Sequence, residues 1–323
     1  MKAIAESSDH QTSMITRLTR MLSQSGIFLV FVAIVFICSL LSPVFLRPAN
    51  LLNILRQIAI NGIISIGMTT VILTGGIDLS VGSVLALVTV TIAKNQTLPA
   101  AVLALIGIGI GAACGFMNGV GIAKVKLQPF IMTLAMMAIV RGLAFMYSMG
   151  LPLPIDNETF LNVGNGFIGR VPLPAVYFIV LLLIAAVVLK YSPFGRYIYA
   201  MGSNEEATRL SGVNVVFQKI TAYIVVGVMA GVAGVIYASQ LGIGVALAGQ
   251  GYETNAIAAV VIGGTSMAGG EGSIWGTLAG VLIMGAISNI MNLTGVNPFA
   301  QEFVKGLIII GAVTMNRLAK GRR

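Results

Sequence analysis

Few residues in this chain are of a kind that does covalent chemistry. The single histidine, His10, lies in the polar first 25 residues, which argues against a zinc site or a histidine-based triad. Cys38 and Cys114 sit inside apolar runs without CxxC spacing and read as small buried hydrophobes. No glycine-rich phosphate loop ending in Lys-Ser/Thr occurs, and no HExxH. No catalytic residue, metal ligand or cofactor is therefore expected, and any work must draw on a partner or an ion gradient.

What remains is hydrogen-bonding chemistry inside apolar sequence. Asp78 lies between two apolar runs, where a carboxylate facing lipid costs about 2.5–3.5 kcal/mol, so it must face protein or water, or cap the next helix. Asn61, Thr70, Thr74, Asp78, Asn255 and Asn289 are the candidates for lining a translocation path. Such groups pass a polar solute by binding it weakly enough for release, and each can equally hold helices together.

A second cluster lies in the longest internal polar segment, 190–219. Ser203 and Glu206 have capping-box spacing, Glu205 and Glu206 fall where a helix dipole favours negative charge, and Gly212 stands where a left-handed C-terminal cap is wanted. The expectation is a helix over about 204–211, too short to persist alone in water. It must dock against something, either a partner or the inner membrane face.

The elements that position these residues follow from composition. Of 323 residues, 57% are hydrophobic and 9% charged, against about 25% charged in soluble domains. Ten apolar runs are candidate spans: 26–46, 58–74, 79–95, 99–123, 128–149, 172–190, 219–240, 252–264, 274–292 and 300–316. The runs at 79–95 and 252–264 are short or polar and read as broken or re-entrant. The first is read as an uncleaved span. The fold class is therefore an all-α integral membrane protein of about ten transmembrane helices. Its parts are a tail at 1–25, a membrane domain at 26–316 and a basic tail at 317–323.

Placing both termini in the cytoplasm puts 13 of the 19 Lys and Arg on the inner side, the sense required by the positive-inside rule. Residues 150–171, with Pro152, Pro154, Asp156 and Asn157, are then an irregular outer loop. Glycines recur at 107, 111, 115 and 119, at 227 and 231, and at 276 and 280. This small-xxx-small spacing suits close helix packing, within one subunit or between two. The tracts Gly75-Gly76 to Gly82-Ser83 and Gly263-Gly264 to Gly272-Ser273 look alike, from a duplicated half or from chance similarity.

The segment Gly202-Ser203-Asn204-Glu205-Glu206-Ala207-Thr208, continuing to Gly212, resembles the cytoplasmic coupling loop of ATP-binding-cassette importer permeases. Thr208 stands where the general motif has a second alanine, and the distal Ile-x-Leu-Pro portion is missing after Val213. In both respects the string resembles the monosaccharide permeases of the ribose-importer type. Val71–Ser83 and Ala258–Ser273 resemble signature stretches of the same family. The resemblance implies a multi-pass inner-membrane homodimer, cytoplasmic ATPases docked on the loop, and a periplasmic sugar-binding protein that delivers ribose or a related sugar. The alternative is a gradient-driven secondary transporter, for which Asp78 and Arg141 are almost the only ionisable candidates. A membrane enzyme is disfavoured, and so is a nucleic-acid partner.

Overall fold

The computed structural model describes residues 27–320. The tail at 1–25 with His10, and residues 321–323 of the basic tail, lie outside them. Among the described residues are thirteen helices and four two-residue strands. The helices are α1 (Ile27–Leu41), α2 (Pro48–Leu73), α3 (Val81–Lys94), α4 (Ala100–Ala123), α5 (Pro129–Ser148), α6 (Glu158–Asn165), α7 (Leu173–Tyr191), α8 (Pro193–Ser203), α9 (Glu205–Leu210), α10 (Val215–Leu241), α11 (Tyr252–Ile262), α12 (Ile274–Leu293) and α13 (Pro298–Lys320). Six of them, α2, α4, α5, α7, α10 and α12, are long and apolar enough to cross a membrane.

Local sequence explains where the helices start. Pro48, Pro129 and Pro193 stand in the first turns of α2, α5 and α8, where a missing N–H costs nothing and φ is preset. Asn157, Ser192, Asn204, Asn214 and Ser273 each accept a backbone N–H at a helix start. α2 begins ten residues before the apolar run at 58–74. Its first turns carry Asn50, Arg56 and Gln57, whose polarity hides a helix that is partly exposed and held by polar contacts to other elements. There Asn50 exchanges two hydrogen bonds with Asn289 of α12, at 2.9 and 3.0 Å, and Arg56 donates to Asn165 of α6.

Helices α2, α10 and α12 form the buried centre, while α4, α5 and α7 turn Leu105, Met146 and Ile184 outward. The tightest crossing is α4 on α10. A Cβ on Gly111 would strike the carbonyl of Gly227, and one on Gly115 the carbonyl of Tyr223. In the same way Gly276 and Gly280 of α12 lie against the Gly263 and Ala259 carbonyls of α11. These glycine stripes are packing surfaces inside one chain.

The segment 150–171 is more ordered than its composition suggests. It contains α6, capped by Asn157, and two strands; β1 (Leu153–Pro154) pairs with β4 (Ile243–Gly244), and β2 (Phe167–Ile168) pairs with β3 (Val171–Pro172). Ser239 of α10 anchors α6 by donating to the Phe160 and Leu161 carbonyls and accepting the Gly164 N–H. At this end of the bundle Gln96 reaches Pro154 and Asp156. The opposite end gathers Leu73, the 124–128 turn, α8, α9 and the 263–273 loop.

Both glycine-rich tracts end a helix in the same way. Gly75 and Gly264 adopt φ of +78° and +86°, a left-handed conformation open to glycine without a Cβ clash. Gly76 N–H bonds the Val71 carbonyl and Thr265 N–H the Val260 carbonyl, the long closing bond of a Schellman cap. The tracts then diverge. Ser80 precedes α3 directly, whereas ten residues run from Gly264 to the start of α12.

Candidate functional site

The segment 190–219 holds a pair of short helices ahead of α10 rather than one. Ser192 and Pro193 open α8, and Ser192 accepts the Gly195 N–H at 3.1 Å. Ser203 is the last residue of α8 and its hydroxyl donates back to the Tyr199 carbonyl, so it is not available to cap α9. Asn204 caps α9 instead, accepting the Ala207 N–H at 2.9 Å. Glu206 does not reach back to the cap. It pairs with Arg209 at 2.6 Å on the exposed side, and this hydrogen bond holds its carboxyl below the usual carboxylate value. The capping box expected from Ser203 and Glu206 is thus replaced by a single asparagine cap.

Gly212 ends α9 with φ +85°, and its N–H bonds the Arg209 carbonyl. A Cβ there would meet open space, so the requirement is conformational alone. Glu205 pairs with Lys219 at 2.6 Å, fixing α9 to the start of α10. Thr208 faces inward and is buried, whereas Glu206, Ala207, Arg209 and Leu210 are exposed, Leu210 at 77%.

Gly202 joins this pair to the bundle. A Cβ on it would strike the Leu73 carbonyl, at the end of α2, and the Gly270 amide, in the loop before α12. Those two groups are themselves hydrogen-bonded at 2.9 Å, and Tyr199 donates to the Gly272 carbonyl at 3.0 Å. α8 therefore bears directly on the end of α2 and on the α11–α12 connection.

Away from this face lies a cavity of about 440 Å³ with a mixed polar and apolar lining, walled by α2, α10, α11, α12 and α13. Asn61 and Asn255 line it, together with Gln57, Gln240, Gln250 and Ser288. The amides at 57, 240 and 250 come from three different stretches of chain, which is why no single motif announces them. The one local signal is the i, i+4 spacing of Gln57 and Asn61 on α2. Glu302 and Lys305 also line the cavity and pair with each other at 2.7 Å. Tyr237 and Tyr252 meet edge-to-face with centroids 6.0 Å apart.

The other sequence candidates lie elsewhere. Asp78 is buried and its carboxylate accepts from the Ser80 N–H at 2.8 Å, the Ser80 hydroxyl at 2.6 Å and Asn118 Nδ2 at 3.2 Å. It ties the start of α3 to α4. Thr70 donates to the Gly67 carbonyl, Thr74 to the Val71 carbonyl, and Asn289 is held by Asn50. Arg141 donates to the carbonyls of Ala246 and Ala248, at 2.5 and 2.7 Å.

Residues 50–313 match the family described as the branched-chain amino acid transport system / permease component. The chain belongs to this family. It is 45% identical to the ribose import permease protein of Bacillus subtilis over 90% of its own length and 92% of that protein's. It is 42% identical to the corresponding protein of Haemophilus influenzae, over 91% and 93% of the two chains. The L-arabinose transport system permease of Escherichia coli K12 is 37% identical over 92% of each. No solved structure matches the fold. The chain is thus a membrane transport subunit, and the phosphate loop missing from its sequence belongs to the ATPase component of such systems.

Proposed function

We propose that the chain is the permease subunit of an ATP-binding-cassette importer that carries a monosaccharide, ribose or a close relative, across the inner membrane. The observation that carries this is the 45% identity to a ribose import permease over nine-tenths of both chains. The family description names amino acids, but several of the similar permeases are named for ribose or arabinose. The cavity lining agrees with the sugars, since its two charged groups are paired and its remaining polar groups are neutral amides and hydroxyls set among aliphatic side chains and two tyrosine rings.

In this reading residues 26–316 cross the membrane about ten times, with α1, α3, α11 and α13 adding to the six long apolar helices. Both termini, with the tails at 1–25 and 317–323, are cytoplasmic. Two copies form a homodimer, a periplasmic sugar-binding protein meets the end that carries α6, and ATPases dock on 190–219 through Gly202–Thr208 and Gly212. Asn61 and Asn255 line the path. Thr70, Thr74, Asp78 and Asn289 hold its frame, because their hydrogen bonds are already made within the chain. The secondary-transporter alternative loses ground for the same reason. Asp78 and Arg141, its only obvious proton or ion carriers, are both engaged in structural bonds.

The test is reconstitution in liposomes with the cognate ATPase and binding protein. ATP-dependent uptake of labelled ribose is expected. Uptake of leucine without ribose would overturn the reading.

A further inference from the structure

We propose that the cavity between α2, α10, α11, α12 and α13 is a binding site in its own right for a neutral polyhydroxylated ligand of monosaccharide size, so that the permease itself selects what crosses. The inference rests on the sugar reading above and deepens it.

Size is the first argument. At about 440 Å³ the cavity falls within the roughly 300–1,000 Å³ of small-molecule sites. Unmet hydrogen bonding is the second and more specific one. Oδ1 of Asn61 and Nε2 of Gln240 are enclosed, and neither has a hydrogen-bond partner among the described residues. Both side chains line the cavity. One orphan is an acceptor and the other a donor, and rotation of either amide exchanges its ends. Both orphan atoms are shut inside the wall, so the opposite ends of the two amides, a donor on Asn61 and an acceptor on Gln240, are the ones left to the cavity, and a sugar hydroxyl, which both donates and accepts, answers both.

Charge decides between ligand classes. The Glu302–Lys305 pair neutralises itself at 2.7 Å, which leaves no free ion for the carboxylate or ammonium of an amino acid. The perpendicular Tyr237 and Tyr252 rings add apolar surface suited to the C–H faces of a pyranose or furanose. Asn61 also lies twelve residues from Leu73, about 18 Å along α2, so the site shares one rigid helix with the coupling face.

A cysteine reporter tests this in the assembled permease–ATPase complex without binding protein. Ser288→Cys lines the cavity with an almost isosteric thiol, in a chain whose Cys38 and Cys114 are replaced by alanine. Millimolar ribose is expected to slow its reaction with a small thiol reagent, and leucine is not. Adding Asn61→Leu, or separately Gln240→Leu, should raise the half-protecting ribose concentration about tenfold, the loss typical of one hydrogen bond. If the complex imports ribose once binding protein and ATP are supplied, yet ribose gives no protection, the site is wrong and the functional reading stands. Protection that persists unchanged in both leucine variants also overturns the site, as does protection by leucine in place of ribose. A complex that imports no sugar overturns the functional reading and this inference with it.

Discussion

Replacing Asn204 by alanine removes the acceptor for the Ala207 N–H and leaves a six-residue helix without its start. Loss of such a cap costs about 1 kcal/mol, so amide exchange across 205–210 should quicken about fivefold. Ser203→Ala should leave that exchange nearly unchanged, because the hydroxyl bonds the Tyr199 carbonyl within α8. Exchange measured by mass spectrometry on both variants separates the two; the reverse order would restore the Ser203 cap. Gly212 was legible from sequence because the demand on it is conformational and local. The cap falls one residue later than the spacing predicts, because Ser203 belongs to α8. That helix was itself signalled by Ser192-Pro193, a capping side chain followed by a first-turn proline.

At the scale of elements, the α4–α10 crossing is held by backbone against backbone. Gly111→Val drives methyl groups into the Gly227 carbonyl, which cannot rotate away as a side chain could. Overpacking of this kind costs about 1–3 kcal/mol or more. A lower thermal midpoint and a poor yield of monodisperse protein are expected. Gly109→Ala on the same helix meets nothing within 4 Å and should behave as wild type, so equal loss in both would argue against the crossing. The stripe was visible in the sequence as a four-residue repeat, but its partner was not, because a spacing says that a close neighbour exists and not which one. The cavity was less legible still. Its amides at 57, 61, 240, 250 and 255 are assembled from three helices and a loop, and only tertiary packing brings them together.

For the whole molecule, the apolar runs were sound guides to where helices lie, since each of the ten falls on a helix. The run at 58–74 understated α2, whereas the two runs read as short, 79–95 and 252–264, do hold short helices. α3 has 14 residues and α11 has 11, about 21 and 17 Å at 1.5 Å per residue, short of a hydrocarbon core of about 30 Å. Irregular backbone at such depth is tolerated only where protein covers it, and the Asp78–Ser80–Asn118 network shows that cover beside α3. Orientation gives a prediction at this scale. Lys124, Lys126, Lys190, Arg196, Arg209 and Lys219 belong to the end that carries α8 and α9. In intact cells a membrane-impermeant thiol reagent should label Glu158→Cys and spare Arg209→Cys. Labelling of Arg209→Cys alone would invert the topology.

The junction at Gly202 has a bearing on how such machines are assembled from parts. Its contacts are to a carbonyl and an amide of the main chain, so on the coupling role proposed above any motion passed into α2 and the α11–α12 loop would not depend on which side chains α9 displays. Recognition and transmission would then be separable. The exposed face of α9 can be rewritten to suit a different engine while the linkage behind it keeps working. Grafting the exposed residues of α9 from the arabinose permease should accordingly redirect the chain to that system's ATPase without a second change anywhere in the bundle.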